Sequence, residues 1–218
     1  RLLLEEGKIV ETWAEAYPTE DLASLPEDQA EIDGYLAQGH ALLKKRGVAQ
    51  LPYAMSNVLD DSHPLIFEAL NALKERGNTD AAVLNTGLFL NELSMGRVSE
   101  DELHQILPHP MHLIRVTLSG AELIRLVREM EKNRHYLRKF PITGMGFRGK
   151  IFGEICYDGL SYDKETKEVF WQEQPVLLTQ DYTLTTVDHF LYNPYFPTIE
   201  ISGKIEFLFP AIIRSGFG

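Results

Sequence analysis

Cysteine, basic residues and long apolar runs are all scarce in this sequence, and each shortage excludes a class of protein. Cys156 is the only cysteine, so no disulfide can form within the chain. Lys and Arg number 21 against 32 Asp and Glu, which gives a formal net charge of −11. That charge argues against nucleic acid as a partner, because nucleic-acid binding depends on clustered cations that neutralise phosphates. No apolar run approaches the ~20 residues that cross a bilayer, so we expect no membrane partner.

The first residues carry no targeting signal. Residues 1–6 are too short and too acidic for a signal peptide. Because the sequence starts abruptly, we expect it to be a fragment of a longer polypeptide, with any targeting segment upstream. The single cysteine and the missing signal segment favour the cytoplasm but leave the compartment open. The composition, 44% hydrophobic and 24% charged, is that of an ordinary globular protein.

Local patterns divide the chain into three parts. Residues 1–17, with a strand-like alternation, are interpreted as the tail of a preceding domain. Residues 18–47 form an acidic, proline-punctuated linker and then a connecting helix across 28–46, which ends in basic residues before Gly47. For that helix, a solvated surface helix with one packed face is the simpler interpretation. Residues 48–218 are predicted to form the main domain.

Within the main domain, strands and helices alternate first and strands dominate later. Helices are predicted across 57–76, from a capping box at Ser99 to Pro108, and from a second capping box at Ser119 to about Asn133. Strands are predicted at 48–54, 80–84, 112–118, 154–157, 159–162, 169–172 and 182–187, and a last helix between 203 and 214. This order predicts an α+β (mixed α/β) fold with a layered mixed sheet and flanking helices.

The histidines do not form a convincing metal site. His104, His109 and His112 lie close in sequence, but Pro108 and Pro110 break any helix that could align them, so loop histidines are the favoured interpretation. Residues 61–63 have the Asp-x-His form with which many phosphoesterases begin their metal site. A two-metal centre needs further ligand motifs, such as Asn-His-Glu or Gly-His-x-His, and the sequence has neither. We therefore expect no catalytic or metal-ligating residue in this chain.

Two other segments could bind a ligand. The glycine-rich run 144–149 could let backbone N–H groups approach an anion beside Arg148, and a mobile hairpin loop explains the same run equally well. A second segment, 189–196, concentrates aromatic residues outside the strand alternation. Stacking contributes ~1–3 kcal/mol per base, so these rings could hold a nucleobase, and core filling is the alternative. Cys156 is interpreted as a buried, inert thiol.

Four segments, taken in order, resemble one family. Residues 79–87 are similar to a strand that ends in Asn-x-Gly-Gly-Ile-Arg, and residues 96–108 to Gly-x-Ile-Thr-x-x-Asp-Leu followed by Leu-Pro-Phe. Residues 116–123 are similar to Leu-Thr-Gly-x-Leu, and residues 182–191 to Tyr-x-Val-x-Thr-x-x-Phe-Leu. Together they resemble the C-terminal domain of 5′-nucleotidases and related nucleotide phosphoesterases, across residues 57–214.

The resemblance implies a division of labour. An N-terminal metallophosphoesterase domain, outside this sequence, would carry a divalent metal pair and hydrolyse the phosphate ester. The present chain, with no cofactor of its own, would bind the nucleotide or nucleoside and close on the metals by domain rotation. The inter-domain helix of such proteins fits the helix predicted at 28–46.

The resemblance also suggests site residues. Phe190 matches a stacking phenylalanine, and Asn85 and Gly87 match the strand-end motif. Leu90 stands where the family has arginine, so the pocket lacks one of the family's binding groups. Arg148, His109 and Tyr192 are candidates to replace the missing groups. The alternative is that the pocket binds a different ligand. The alternative function is a non-catalytic module for packing, oligomerisation or lid closure.

Overall fold

A computed structural model describes residues 1–18, 20, 22–23, 25–59, 61–141 and 149–217. The chain divides into two compact units, Arg1–Leu42 and Leu43–Gly218. None of the described helices is long and apolar enough to cross a membrane.

The first unit is a hairpin followed by a helix. Strands β1 (Leu2–Glu5) and β2 (Lys8–Thr12) pair antiparallel around Glu6 and Gly7, whose φ values of 48° and 77° are those of a type I′ turn. Helix α1 (Pro26–Lys45) begins in this unit, with acidic residues in its first turn and basic residues in its last. That charge order complements the helix dipole. The observed bounds of the helix are close to the predicted bounds, 28–46.

The second unit contains the remaining elements. In chain order they are β3 (Gly47–Leu51), α2 (Leu65–Gly77), β4 (Ala81–Asn85), β5 (Gly96–Ser99), α3 (Glu100–Ile106), β6 (His112–Ser119), α4 (Gly120–Leu137), β7 (Ile155–Asp158), β8 (Leu160–Tyr162), β9 (Val169–Trp171), β10 (Gln174–Pro175), β11 (Asp181–Val187), α5 (Asp188–Leu191), α6 (Pro197–Ser202) and β12 (Lys204–Ile212). Short 3₁₀ helices lie at Thr86–Leu88 and Ile213–Phe217.

A five-stranded mixed sheet is the centre of this unit. Its strand order is β12-β6-β11-β4-β7. Strand β11 pairs with β4 in parallel, and the other neighbouring pairs are antiparallel. Two smaller sheets, β3-β5 and β10-β9-β8, accompany it. The predicted fold class, a mixed sheet with flanking helices, is therefore confirmed.

Both faces of the central sheet are covered. Leu113 and Ile114 are neighbours on β6, so their side chains lie on opposite faces, and both are completely buried. Helix α2 buries one apolar stripe at helical spacing, made of Leu65, Ile66, Ala69, Leu70 and Leu73. Burying each such leucine or isoleucine contributes about 1.5–3 kcal/mol, so packing on the sheet faces contributes strongly to the stability of this unit.

Both predicted capping boxes are present. The Ser99 hydroxyl accepts from the Glu102 backbone N–H at 3.3 Å, and the Glu102 carboxylate accepts from the Ser99 N–H at 2.8 Å. Ser119 and Glu122 form the same pair at the start of α4. The hydrogen bond from the Ser99 backbone holds the pKa of the Glu102 carboxyl below its usual range. These boxes satisfy backbone donors that a helix start otherwise leaves free, and so set where α3 and α4 begin.

The prediction of a last helix between residues 203 and 214 is wrong. Residues 204–212 form β12, which pairs antiparallel with β6 at the edge of the central sheet. Ile205 and Phe207 alternate with Lys204 and Glu206, and this period of two fits a strand whose one face packs on the unit. Pro210 is tolerated because an edge strand does not need every backbone donor. Helix α2 also begins later than predicted, after Pro64.

We expect Cys156 to resist alkylation in the native protein. Burial raises the pKa of its thiol to about 12, and the Glu154 carboxylate adds to the rise, so almost no thiolate forms at neutral pH. Iodoacetamide treatment followed by mass spectrometry should leave the native thiol unmodified while urea-unfolded protein is labelled completely. Equal labelling of both states would contradict the buried position.

Candidate functional site

Two central strands of the main sheet, β4 and β11, have their carboxyl ends on the same side of the sheet. Because β4 and β11 run in parallel, their last residues, Asn85 and Val187, lie at the same edge. In sheets that contain parallel strands, ligands commonly bind where loops leave the carboxyl ends. The segments that follow, 86–90 and 188–196, contain three of the six candidate residues, Gly87, Phe190 and Tyr192, and Asn85 ends β4 itself.

The loop after β4 is fastened to a segment that precedes β7. The Thr86 N–H donates to the Glu154 carbonyl at 2.9 Å, and the Gly87 N–H donates to the Phe152 carbonyl at 3.0 Å. In return, the Glu154 N–H donates to the Thr86 hydroxyl at 2.9 Å. Three hydrogen bonds thus hold residues 86–87 against residues 152–154, and we call this arrangement the loop crossing.

Glycine is required on both sides of the loop crossing. A Cβ at Gly87 would lie 2.1 Å from the Ile151 carbonyl oxygen and 2.4 Å from that of Phe152. Gly153 has a φ of +84°, and a Cβ there would lie 2.5 Å from the Thr86 hydroxyl. Backbone atoms cannot yield as a flexible side chain can, so the match of Gly87 to the family motif has a structural cause.

Asn85 makes a further hydrogen bond to the loop crossing. Its side chain is fully buried, and Nδ2 donates to the Phe152 carbonyl at 2.6 Å. Within the described part of the chain, Oδ1 accepts no hydrogen bond. The Phe152 carbonyl oxygen therefore accepts from both Asn85 and Gly87, which makes Asn85 a positioning residue in this conformation.

His109 fixes the 3₁₀ turn that follows. Its Nε2 lies 2.7 Å from the Leu88 carbonyl oxygen, and the side chain is fully buried. Since a carbonyl only accepts, this nitrogen must carry a proton. Beside it, burial and the neighbouring His109 lower the pKa of His189 to about 3, so His189 is neutral at physiological pH.

The structure brings three of the six candidate residues together at the loop crossing, namely Asn85, Gly87 and His109. Phe190 lies in the interior beside the loop crossing, with its ring centroid 5.6 Å from that of Phe152 and its ring stacked on that of Phe196 at 5.3 Å.

No face of the Phe190 ring is open to a ligand, because its exposed fraction is 0%. Core filling, the alternative interpretation of the aromatic segment, describes both Phe190 and Phe196 here. A stacking role for Phe190 has no support in this conformation. Tyr192, at the end of α5, has an exposed fraction of 57%, and Arg148 lies outside the described residues.

A cleft of about 440 Å³ opens beside the loop crossing. We call it the glycine cleft; its described lining residues are Asn57, Thr86, Gly87, Phe89, Leu90, Gly149, Lys150 and Ile151. Lys150 is exposed and is the one charged side chain among them. Sequence reasoning missed Lys150 and Asn57, because a single lysine after a glycine and a single asparagine in a loop carry no distinctive pattern.

The described residues offer no place for a divalent metal pair. No group of three His, Cys, Asp or Glu side chains converges in the part of the chain that the structure describes. The His63 ring stacks on Tyr53 at 3.9 Å, and His112 Nδ1 pairs with the Asp188 carboxylate at 3.2 Å. Asp61 accepts the Ser62 N–H at 2.6 Å, so its carboxylate stabilises a turn. These contacts do not fit a phosphoesterase metal centre.

Comparison with known proteins assigns the chain to a family. Residues 51–193 match the family described as the 5′-nucleotidase C-terminal domain, and the chain belongs to that family. The resemblance found in the sequence motifs is thereby confirmed. Members are parts of hydrolases of the 5′-nucleotidase class.

The chain is also similar to particular proteins. It is 27% identical, over a 206-residue alignment that covers 86% of this chain and 44% of the relative, to the uncharacterized metallophosphoesterase YunD of Bacillus subtilis (strain 168). The 5′-nucleotidase precursor of Thermus thermophilus shares the fold with a TM-score of 0.62 and 14% identity, covering 99% of this chain and 44% of that one.

The NAD nucleotidase of Haemophilus influenzae shares the fold with a TM-score of 0.55 and 14% identity, covering 94% of this chain and 43% of that one. The chain thus spans less than half the length of these three proteins.

Replacing Gly87 with alanine should destabilise the main unit by about 3 kcal/mol, because the new methyl group would overlap two backbone carbonyls. The matched control is Gly39→Ala in α1, where a Cβ meets nothing within 4 Å and alanine should be neutral or stabilising by about 0.5–1 kcal/mol. Urea unfolding followed by circular dichroism measures both. Equal stability of the two variants would show that the loop crossing is looser than described.

Proposed function

We propose that this chain is the substrate-recognising domain of a metal-dependent phosphoesterase that hydrolyses nucleotides, and that the glycine cleft is where it binds the nucleotide. The observation that carries the proposal is the position of this cleft. It opens at the carboxyl end of β4, beside the strand-end motif that gives the chain its family resemblance. Its volume of about 440 Å³ lies within the range of small-molecule pockets.

Each residue near the cleft has a proposed role. Lys150 supplies positive charge for a phosphate, which Leu90, at the position of the family's arginine, cannot do. The side chain of Asn57 lines the cleft and is half-buried, so it can donate to or accept from the sugar or base. Asn85, Gly87 and His109 do not line the cleft with free polar groups; they hold the loop crossing that shapes it.

The hydrolytic chemistry is proposed to occur in another part of the polypeptide. A divalent metal pair, when bound to an N-terminal metallophosphoesterase domain, would supply the activated water and stabilise the developing charge on phosphate. The relatives support this arrangement, because YunD is named a metallophosphoesterase and this chain covers 44% of it. The role left to the present chain is to hold the nucleotide so that its phosphate faces those metals.

A second candidate is a divergent ligand-binding or packing module. The complete burial of Phe190 favours it, because the stacking residue that the resemblance implies is inaccessible in this conformation. The replacement of the motif arginine by Leu90 points the same way. The two candidates differ in one measurable property, the binding of nucleotides by the glycine cleft.

Lys150→Ala should weaken the binding of adenosine monophosphate to the purified chain by about tenfold, the equivalent of ~1.4 kcal/mol, through the loss of one charge-assisted contact. Its effect on adenosine, which has no phosphate, should be small. Isothermal titration calorimetry gives both affinities.

The matched control is Lys44→Ala, an exposed lysine on α1 that should leave both affinities unchanged. Two results would contradict the proposal. One is an absence of nucleotide binding by the unmodified chain, which would favour the second candidate. The other is an equal loss in both variants, which would reduce the effect to overall charge.

The chain on its own should not hydrolyse nucleoside monophosphates, even with added Mn²⁺, because the described residues provide no metal centre. Phosphate release should stay at the level of a mock purification. Hydrolysis that co-elutes with the chain and disappears on chelation would contradict the proposed division of labour.

A further inference from the structure

A second, larger cleft lies between α4 and the turn that joins β8 to β9. Its volume is about 580 Å³. Helix α4 contributes Arg128, Lys132 and Arg134, the residue after its last turn is Arg138, and the β8–β9 turn contributes Lys164 and Lys167. We call it the basic cleft. It shares no lining residue with the glycine cleft.

The basic cleft is positively charged, whereas the chain as a whole is negatively charged. Six Lys and Arg side chains line it, against the single carboxylate of Glu131, in a chain whose formal net charge is −11. Surface charges act over about one Debye length, which is ~8 Å at physiological ionic strength. A small anion inside the cleft would therefore experience mainly these cations and little of the surrounding negative charge.

The floor of the basic cleft is neutral and fixed. Arg134 binds the carboxylates of Glu131 and Glu154, and Arg138 binds Glu154 as well. The Tyr157 hydroxyl donates to Glu131 at 2.9 Å. Burial opposes the charge of Arg134, but the hydrogen bonds to Glu131 and Glu154 outweigh it and raise its pKa. Two guanidinium groups and two carboxylates thus balance each other in one ion-pair network.

The rim keeps an excess of positive charge. Among the described residues, no carboxylate lies within ion-pair distance of Arg128, Lys132, Lys164 or Lys167. The carboxylate of the nearby Asp163 is directed to the backbone, because it accepts the N–H groups of residues 165 and 166 at 2.7 and 3.0 Å and so fixes the turn. Four cations from two segments therefore line one space, and none has an ion-pair partner among the described residues.

A bound anion would relieve the mutual repulsion of these cations. Arg128 and Lys132 are one helical turn apart on α4, where like charges repel and weaken the helix. Both side chains are exposed, so neither is needed for core packing. The repulsion is removed when a ligand brings several negative charges into a small volume.

We propose that the basic cleft binds a small anion with two or more adjacent phosphate groups, either free oligophosphate or the polyphosphate tail of a nucleotide. Arg side chains match phosphate oxygens with paired N–H donors, and lysine adds point charges on flexible stems. The volume fits a ligand of this size. An acidic protein is a poorer occupant, because its larger surface would meet the net negative charge of the chain.

The contact with Tyr162 distinguishes the two candidate ligands, a nucleotide and free oligophosphate. Its half-buried ring lines the same cleft and could contact a nucleobase, whereas free oligophosphate has nothing to place against it. A nucleoside triphosphate that binds more tightly than tripolyphosphate, with the difference lost in Tyr162→Ala, would identify the nucleotide. Equal affinities would identify the oligophosphate.

The test is calorimetric titration of inorganic tripolyphosphate into the purified chain at low and at physiological ionic strength. The unmodified chain should bind, with weaker binding at the higher salt. The double variant Arg128→Gln with Lys132→Gln should lose at least about tenfold in affinity. Both positions are exposed and the variant removes a repulsion between like charges, so the unfolding temperature should be equal or slightly higher and the loss of affinity attributable to the cleft.

A matched control separates this site from the rest of the molecule. Lys44→Gln with Lys45→Gln removes the same charge from α1 and should bind tripolyphosphate within about twofold of the unmodified chain. The proposal fails if tripolyphosphate does not bind at low salt. It also fails if the α1 pair loses as much affinity as the cleft pair.

Discussion

The geometry of the site depends on one backbone contact, the loop crossing of residues 86–87 with residues 152–154. Three hydrogen bonds join the two segments, and two glycines let them approach to a distance that excludes any side chain. Asn85 and His109 add buried hydrogen bonds to the same loop. These hydrogen bonds join one set of backbone groups, so the positions of the crossing and of the cleft beside it are set together.

Much of the fold could be predicted because it follows from local chemistry. The capping boxes at Ser99 and Ser119 mark real helix starts, and the alternation in β6 marks a real strand. The prediction of a last helix was wrong because a short apolar run with mixed spacing is compatible with either a helix or a strand. Pairing with a neighbouring strand then determines which of the two forms. Here β6 offers a free edge, and residues 204–212 pair with it.

The site was less accessible to sequence reasoning. The sequence proposed Asn85 and Gly87 from a motif match and His109 as a replacement group, all three as substrate-binding residues, whereas the structure shows two buried hydrogen-bonding side chains and a glycine that permits close approach. Phe190 illustrates the limit. A ring on an irregular segment can face a ligand or the core, and only the packing of Phe152 and Phe196 around it distinguishes the two. Neither cleft has a sequence signature, because each gathers residues from distant segments.

The parallel pairing of β4 with β11 has a consequence for how the protein is made. Thr185 lies opposite Ala82, so the strand that completes this part of the sheet is synthesised about a hundred residues after its partner. Every described residue that lines the glycine cleft leaves the ribosome before β11 does. A nascent chain that stalls before Asp181 would therefore contain every described lining residue of the glycine cleft and still lack the strand that pairs with β4, so this part of the sheet can form only after β11 has been synthesised.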